Sequence, residues 1–196
     1  DRCCEGSAIR LQGLVAKERA EVAKRQGCDQ EAMALHEVAR RHLKDALTIF
    51  EDIGDRYLQA ITHGAIGSHF RDLDMLDEAE TEMRMALEIA RRLESAEEIH
   101  SILCQKLSRL LSGNPNRLDG AEAYNREAMC LLERLKRPQG VAHCKLNFAR
   151  IAEQKGELEL ALAYARDAEK LFLAVGAMQD VAYELSRLTD LKNDIA

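Results

Sequence analysis

GDRYLQAITHGAIGSHFRDLDMLDEAETEMRMALEIARRL, residues 54–93, reads as two helical segments joined by a short acidic turn, and its second half carries Ala79 and Ala86 seven residues apart. Seven residues bring a helix back to the same face after two turns, so the pair forms a small stripe on which another helix can pack closely. The same spacing recurs at Ala39 and Ala46, Ala121 and Ala128, and Ala161 and Ala168, and the pairs follow one another at a nearly constant interval. An interval of about 40 residues predicts an array of helical hairpins.

Composition agrees with that reading. Only Pro115 and Pro138 interrupt 196 residues, apolar residues make up 46% and aromatics 4%, and tryptophan is absent. A core of Leu, Ala, Ile, Val and Met suits helices, whereas a β-sandwich draws on Val, Thr and aromatics. The net charge of −6 is spread with both signs along the helices and leaves no footprint for nucleic acid. No apolar run approaches the roughly 20 residues of a membrane span, and DRCCEGSAIR holds no signal-peptide core. Six cysteines without C-x-x-C spacing read as free thiols in a reducing, cytoplasmic setting. A start at Asp1 without methionine reads as a segment of a longer protein.

Taken in order, the first hairpin is expected over about 7–53. Ile9, Leu11, Leu14, Val15 and Ala23 form the apolar face of a helix from Ser7 to Arg25, and a second helix runs from about Asp29, its expected cap, to Ile53. The second hairpin spans 54–94, with acidic residues between Asp72 and Asp77 expected to cap its second helix. The third, 95–136, turns at SGNPN, residues 112–116. The fourth, 137–175, starts at Pro138 and turns at Gly156, and a terminal helix over 177–194 is expected to cover its open end. The predicted architecture is all-α: a right-handed α-solenoid of about four helical hairpins plus a capping helix, in a single domain.

These residues resemble the tetratricopeptide repeat family, in its longer variety of about 40 residues per repeat. The resemblance rests on Ile66, Gly67 and Phe70 followed by Ala79, Met83 and Ala86, on Leu107, Ser108 and Leu111 followed by Ala121, Asn125 and Ala128, and on Phe148, Ala149 and Ala152 followed by Gly156, Ala161, Ala165 and Ala168. The first repeat keeps Ala39, Leu43 and Ala46 but shows no clear matching first helix. Gly67, Ser108 and Ala149 are small where the two helices of a pair are expected to cross, and a bulky side chain there would drive them apart.

No catalytic constellation, cofactor motif or metal site is read from the residues. The six histidines never form H-E-x-x-H, and His100 and Cys104, one turn apart, supply two ligands where a structural zinc needs four. The two glycines of GAIGSHF sit inside a helical pattern rather than a phosphate loop.

The resemblance implies a concave groove lined by the first helix of each pair. Its candidate residues are Ile61, Ser68 and Arg71, then Ile102, Gln105, Lys106 and Arg109, then His143, Asn147 and Arg150, and finally Tyr183 and Ser186. Arg71, Lys106, Arg109 and Arg150 would form a basic strip for the carboxylates of an acidic peptide, and the amide of Asn147 would hold peptide backbone. The competing reading pairs these arginines with nearby acids such as Glu153, as surface ion pairs that only solvate the helices. Some family members clamp a chaperone's C-terminal carboxylate, but Gly64, Ser68 and His143 at the matching positions reproduce that clamp only in part. The expected function is a non-enzymatic protein-interaction scaffold. The alternative is a regulatory or sensory domain of a signalling protein that forms a homodimer or restrains an attached effector. No nucleic-acid or membrane partner is expected.

Overall fold

The computed structural model describes residues 1–176, and every regular element among them is helical. In order these are α1 (Arg2–Arg25), α2 (Asp29–Asp52), α3 (Arg56–Asp72), α4 (Leu76–Arg91), α5 (Glu97–Leu111), a 3-10 turn at Pro115–Arg117, α6 (Leu118–Arg134), α7 (Pro138–Gln154) and α8 (Leu158–Ala174). The expected all-α helical-repeat class is what the structure shows. The terminal helix expected over 177–194, with Tyr183 and Ser186, lies outside the described residues. Contacts divide the chain between Ile99 and His100 into two compact units. Hairpins α1/α2 and α3/α4 build the first, and α5 from His100 onward, α6, α7 and α8 build the second.

All eight ladder alanines are fully buried, at 0% exposure. The reason is close helix crossing, seen at Gly67, where an added Cβ would sit 2.7 Å from Met83 Cγ and 2.9 Å from the Ala79 carbonyl oxygen. Only glycine lets the α3 backbone lie this near to α4. Ser108 and Ala149, the small residues expected at the other crossings, are buried as well.

The first hairpin corrects the sequence reading in two ways. Its α1 buries Gly6, Gly13, Ala16, Ala20 and Ala23, while Leu11 and Val15 remain 55% and 58% exposed. Small side chains face α2 because the two helices approach too closely for branched ones, and Leu11 and Val15 are left on the flank. The matching first helix is also present. Gly13 lies over the Ala39 carbonyl and Leu43 just as Gly67 lies over the Ala79 carbonyl and Met83. Along the chain, however, Gly13 stands much further from Ala39 than Gly67 does from Ala79. Helices α1 and α2 hold 24 residues each, against 17 in α3 and 16 in α4. The surplus is about two turns per helix, which preserves the contacting face while hiding the repeat spacing.

Helix starts differ in detail from expectation. The cap of α2 is Cys28 rather than Asp29, and α4 starts from Met75, neither with a side-chain cap bond. Asp29, Asp77 and Glu78 instead fall in the first turns, where their charge complements the helix dipole without closing a cap. Pro138 opens α7 as expected, and Gly156 takes φ +79° in the turn before α8, a conformation that favours glycine. No helix among the described residues is long and apolar enough to cross a membrane, and all six cysteines are free.

Candidate functional site

Helix α5 presents Ile102, Gln105, Lys106 and Arg109 on one face, and α7 presents His143, Leu146, Asn147 and Arg150. Both sets follow the i, i+3, i+4, i+7 spacing of a single helical face. Their members correspond one to one at a constant offset, Ile102 to His143, Gln105 to Leu146, Lys106 to Asn147 and Arg109 to Arg150. Together the eight residues line one open depression of about 440 Å³ in the second unit. Five of the residues expected in the groove, Lys106, Arg109, His143, Asn147 and Arg150, therefore meet in one place. Ile102 and Gln105, also anticipated, lie beside them. Leu146 was not anticipated, although its correspondence to Gln105 is the signal that would have found it.

Buried and part-buried hydrogen bonds set this geometry. Gln105 Nε2 donates to the Gly140 carbonyl at 2.9 Å and to Cys144 Sγ at 3.2 Å, which joins α5 to α7. Beneath them Asn125 of α6, with no exposed surface, donates through Nδ2 to the Cys144 carbonyl at 2.8 Å. Asn147 Nδ2 lies 3.4 Å from Asn125 Oδ1, so the amide at the floor is oriented by a second amide behind it. His143 packs edge-on against Phe172 of α8, with ring centroids 5.0 Å apart. Burial pushes the Cys144 thiol up to about 11 despite the Gln105 hydrogen bond, so this sulfur stays protonated and acts as a packed acceptor rather than a nucleophile.

The lining has a definite electrostatic sign. Lys106, Arg109 and Arg150 contribute three cations, His143 adds a titratable ring, and no acidic side chain among the described residues lines the depression. This basic recess belongs to a chain whose net charge is −6. Ile102 and Leu146 supply apolar surface between the polar groups. Such a mixture suits a ligand with carboxylates spaced along an apolar body.

The remaining anticipated residues lie in the first unit. Ser68 is buried in α3, and its hydroxyl donates to the Gly64 carbonyl at 2.9 Å. Arg71 is held by its neighbour Asp72, with its Nη2 2.7 Å from Oδ1, and Lys17 of α1 reaches the same carboxylate at 2.6 Å. Burial alone would raise Asp72, but hydrogen bonds from Lys17 and Arg71 outweigh it and hold the carboxyl below its usual range. Lys17 and Asp72 thus fasten α1 to the end of α3, and Arg71 is held against the same carboxylate. Ile61 is half-buried on the same helix.

No protein-family model matches the chain, and no curated protein matches it. Solved structures of similar fold include BtubC (BKLC) from P. vanneervenii, 16% identical with a TM-score of 0.62, the match covering 96% of this chain and 92% of that one. The apo form of RapI is 11% identical with a TM-score of 0.69, covering 86% of this chain and 47% of that one. Aspartyl phosphate phosphatase F from Bacillus subtilis is 16% identical with a TM-score of 0.67, covering 94% and 49%. The chain spans about half the length of these last two. At such identities the likeness is one of fold, and it agrees with the helical hairpins described above.

Proposed function

We propose that this chain is a tetratricopeptide-like interaction module that binds an acidic peptide segment of a partner protein in the depression between α5 and α7. One observation carries the reading: two helix faces repeat the same four-position pattern at a constant offset and bring Lys106, Arg109 and Arg150 into one depression with Asn147. Arginine binds carboxylates through two parallel hydrogen bonds, and an asparagine amide both donates to and accepts from peptide backbone. The module acts by binding rather than catalysis, with no cofactor, in a reducing cytoplasm suited to its six free thiols.

Fluorescence anisotropy with labelled acidic peptides tests this. Affinity should fall steeply with added salt, and the double variant Arg109→Glu, Arg150→Glu should lose binding by more than about a hundredfold, since two charge-assisted contacts become repulsive. Circular dichroism and the melting temperature should stay near those of the parent. Binding that survives the double reversal, or that ignores salt, overturns the reading.

A second reading, a regulatory segment of a larger signalling protein that self-associates or restrains an attached effector, is supported by one observation. The chain matches roughly half of RapI and half of aspartyl phosphate phosphatase F. Multi-angle light scattering separates the two readings: a concentration-dependent dimer supports self-association, and a monomer at high concentration counts against it.

A further inference from the structure

In the second unit, His100 and Cys104 stand one turn apart on the same face of α5, and α6 brings Glu127 against them. The His100 ring nitrogen Nε2 lies 2.6 Å from Glu127 Oε1. Ligand-type atoms of all three residues fall within 4.8 Å of one another. Cys104 is fully buried, while the His100 and Glu127 side chains keep 17% and 33% exposure. The cluster therefore sets a buried sulfur beneath a partly exposed imidazole and a partly exposed carboxylate. None of the three residues lines the basic depression, and the cluster is independent of the proposed peptide site.

We propose that His100, Cys104 and Glu127 form a binding site for a borderline-soft divalent cation of the zinc class. Thiolate, imidazole and carboxylate are the three side-chain ligands zinc accepts, and three protein ligands with a water in the fourth tetrahedral position make an open site. The partly exposed side supplies the route of entry and the place for that water. Two ligands come from one helix and the third from its hairpin partner, so the bound ion cross-links α5 to α6.

Binding is charge-balanced in simple terms. The Cys104 thiol releases its proton to solvent as sulfur donates to the metal, and His100 binds through a ring nitrogen that carries no proton. The His100–Glu127 hydrogen bond gives way to two metal bonds. Affinity must then fall as pH drops, because protons compete for all three ligands. His63 of α3 and Glu82 of α4 make a similar contact, Nδ1 to Oε2 at 2.7 Å, and belong to no such three-donor cluster among the described residues.

Cobalt(II) tests the site, because a thiolate ligand gives a charge-transfer band and a tetrahedral site gives intense visible bands. The background is the full chain with Cys3→Ser, Cys4→Ser, Cys28→Ser and Cys130→Ser, which retains Cys104 and Cys144. A single saturating set of bands should appear, displaced by Zn²⁺ and accompanied by a higher melting temperature. Cys104→Ser should abolish the charge-transfer band and Cys144→Ser should leave it. His100→Ala and Glu127→Gln, at part-exposed positions, should each weaken cobalt binding by more than about tenfold. If Cys104→Ser does not fold by circular dichroism, these two variants decide. Absence of the bands from the folded background, bands that persist in folded Cys104→Ser, or affinity unmoved by His100→Ala and Glu127→Gln overturns the proposal.

Discussion

Asn125 donates a 2.8 Å hydrogen bond from its side-chain amide to the backbone carbonyl of Cys144, with no solvent exposure at the asparagine. This contact ties α6 to α7 and stands directly behind Asn147 at the floor of the basic depression. Replacing it with an apolar residue removes this second donor from a helical carbonyl and leaves the buried Asn147 amide without its acceptor, a cost of about 1–3 kcal/mol. Asn125→Leu should lower the unfolding free energy by that amount in urea titration. It should also weaken acidic-peptide binding, because Asn147 loses the group that orients it. An unchanged stability would mean that water replaces the amide at no cost.

The glycines at helix crossings should differ in a fixed order when changed to alanine. At Gly67 the new Cβ meets backbone, 2.9 Å from the Ala79 carbonyl, as well as Met83 Cγ at 2.7 Å. At Gly13 the approaches are looser, 3.0 Å to Leu43 Cγ and 3.2 Å to the Ala39 carbonyl. At Gly140 the close contact, 2.6 Å, is with the terminal Cδ2 of Leu132, which can rotate away. Alanine gains about 1 kcal/mol of helix propensity at each site, and overpacking costs about 1–3 kcal/mol where nothing can yield. Thermal melts should therefore rank Gly67→Ala as clearly destabilised, Gly13→Ala as mildly so and Gly140→Ala as close to the parent.

Acid should destabilise the first unit through its buried imidazoles. His69 is fully buried beside His36, ring centroids 5.3 Å apart, and neither of its ring nitrogens has a hydrogen-bond partner among the described residues. Burial first, and then the neighbouring His36, Lys17 and Arg40 charges, push His69 from 6.5 down to about 4, with Asp72 opposing. Burial likewise lowers His36, with Glu21 opposing. Below 6.5 the unfolded chain takes up the His69 proton while the folded chain does not. Stability present at neutral pH is thus lost as pH falls from about 6.5 to about 4, by up to about 3 kcal/mol from His69. His69→Phe should flatten this dependence with little loss at pH 7, since it replaces a buried polar ring by an apolar one of similar shape. A pH series of denaturant titrations on the two proteins checks it.

Much of the fold was legible because it depends on residue size at fixed intervals. The ladder alanines and Gly67 announce close crossings in any sequence that repeats them at a steady period. The face of α1 was misread for the complementary reason: Leu11 and Val15 look like core residues, yet the near approach of α2 admits only glycine and alanine. Gly13 escaped notice because two added turns per helix keep its face and alter its distance from Ala39. On α5 and α7 the constant offset exposed Arg109 and Arg150 as counterparts. Glu127 had no such signature, because it reaches His100 across a hairpin and no interval within one helix encodes that meeting.

The two-turn extension of the first hairpin bears on how the molecule opens. The extra residues lie at the tip, on either side of Gln26–Cys28, beyond the length that the shorter α3 and α4 can flank. There α1 and α2 run past the ends of α3 and α4, whereas α3 is buried along most of its length. Amide hydrogens near the tip should exchange with solvent through local separation of the two helix ends, well before the amides of α3, which await global unfolding. The lengthened hairpin thus gives a protease or a chaperone a purchase on the first unit that the enclosed α3 denies it.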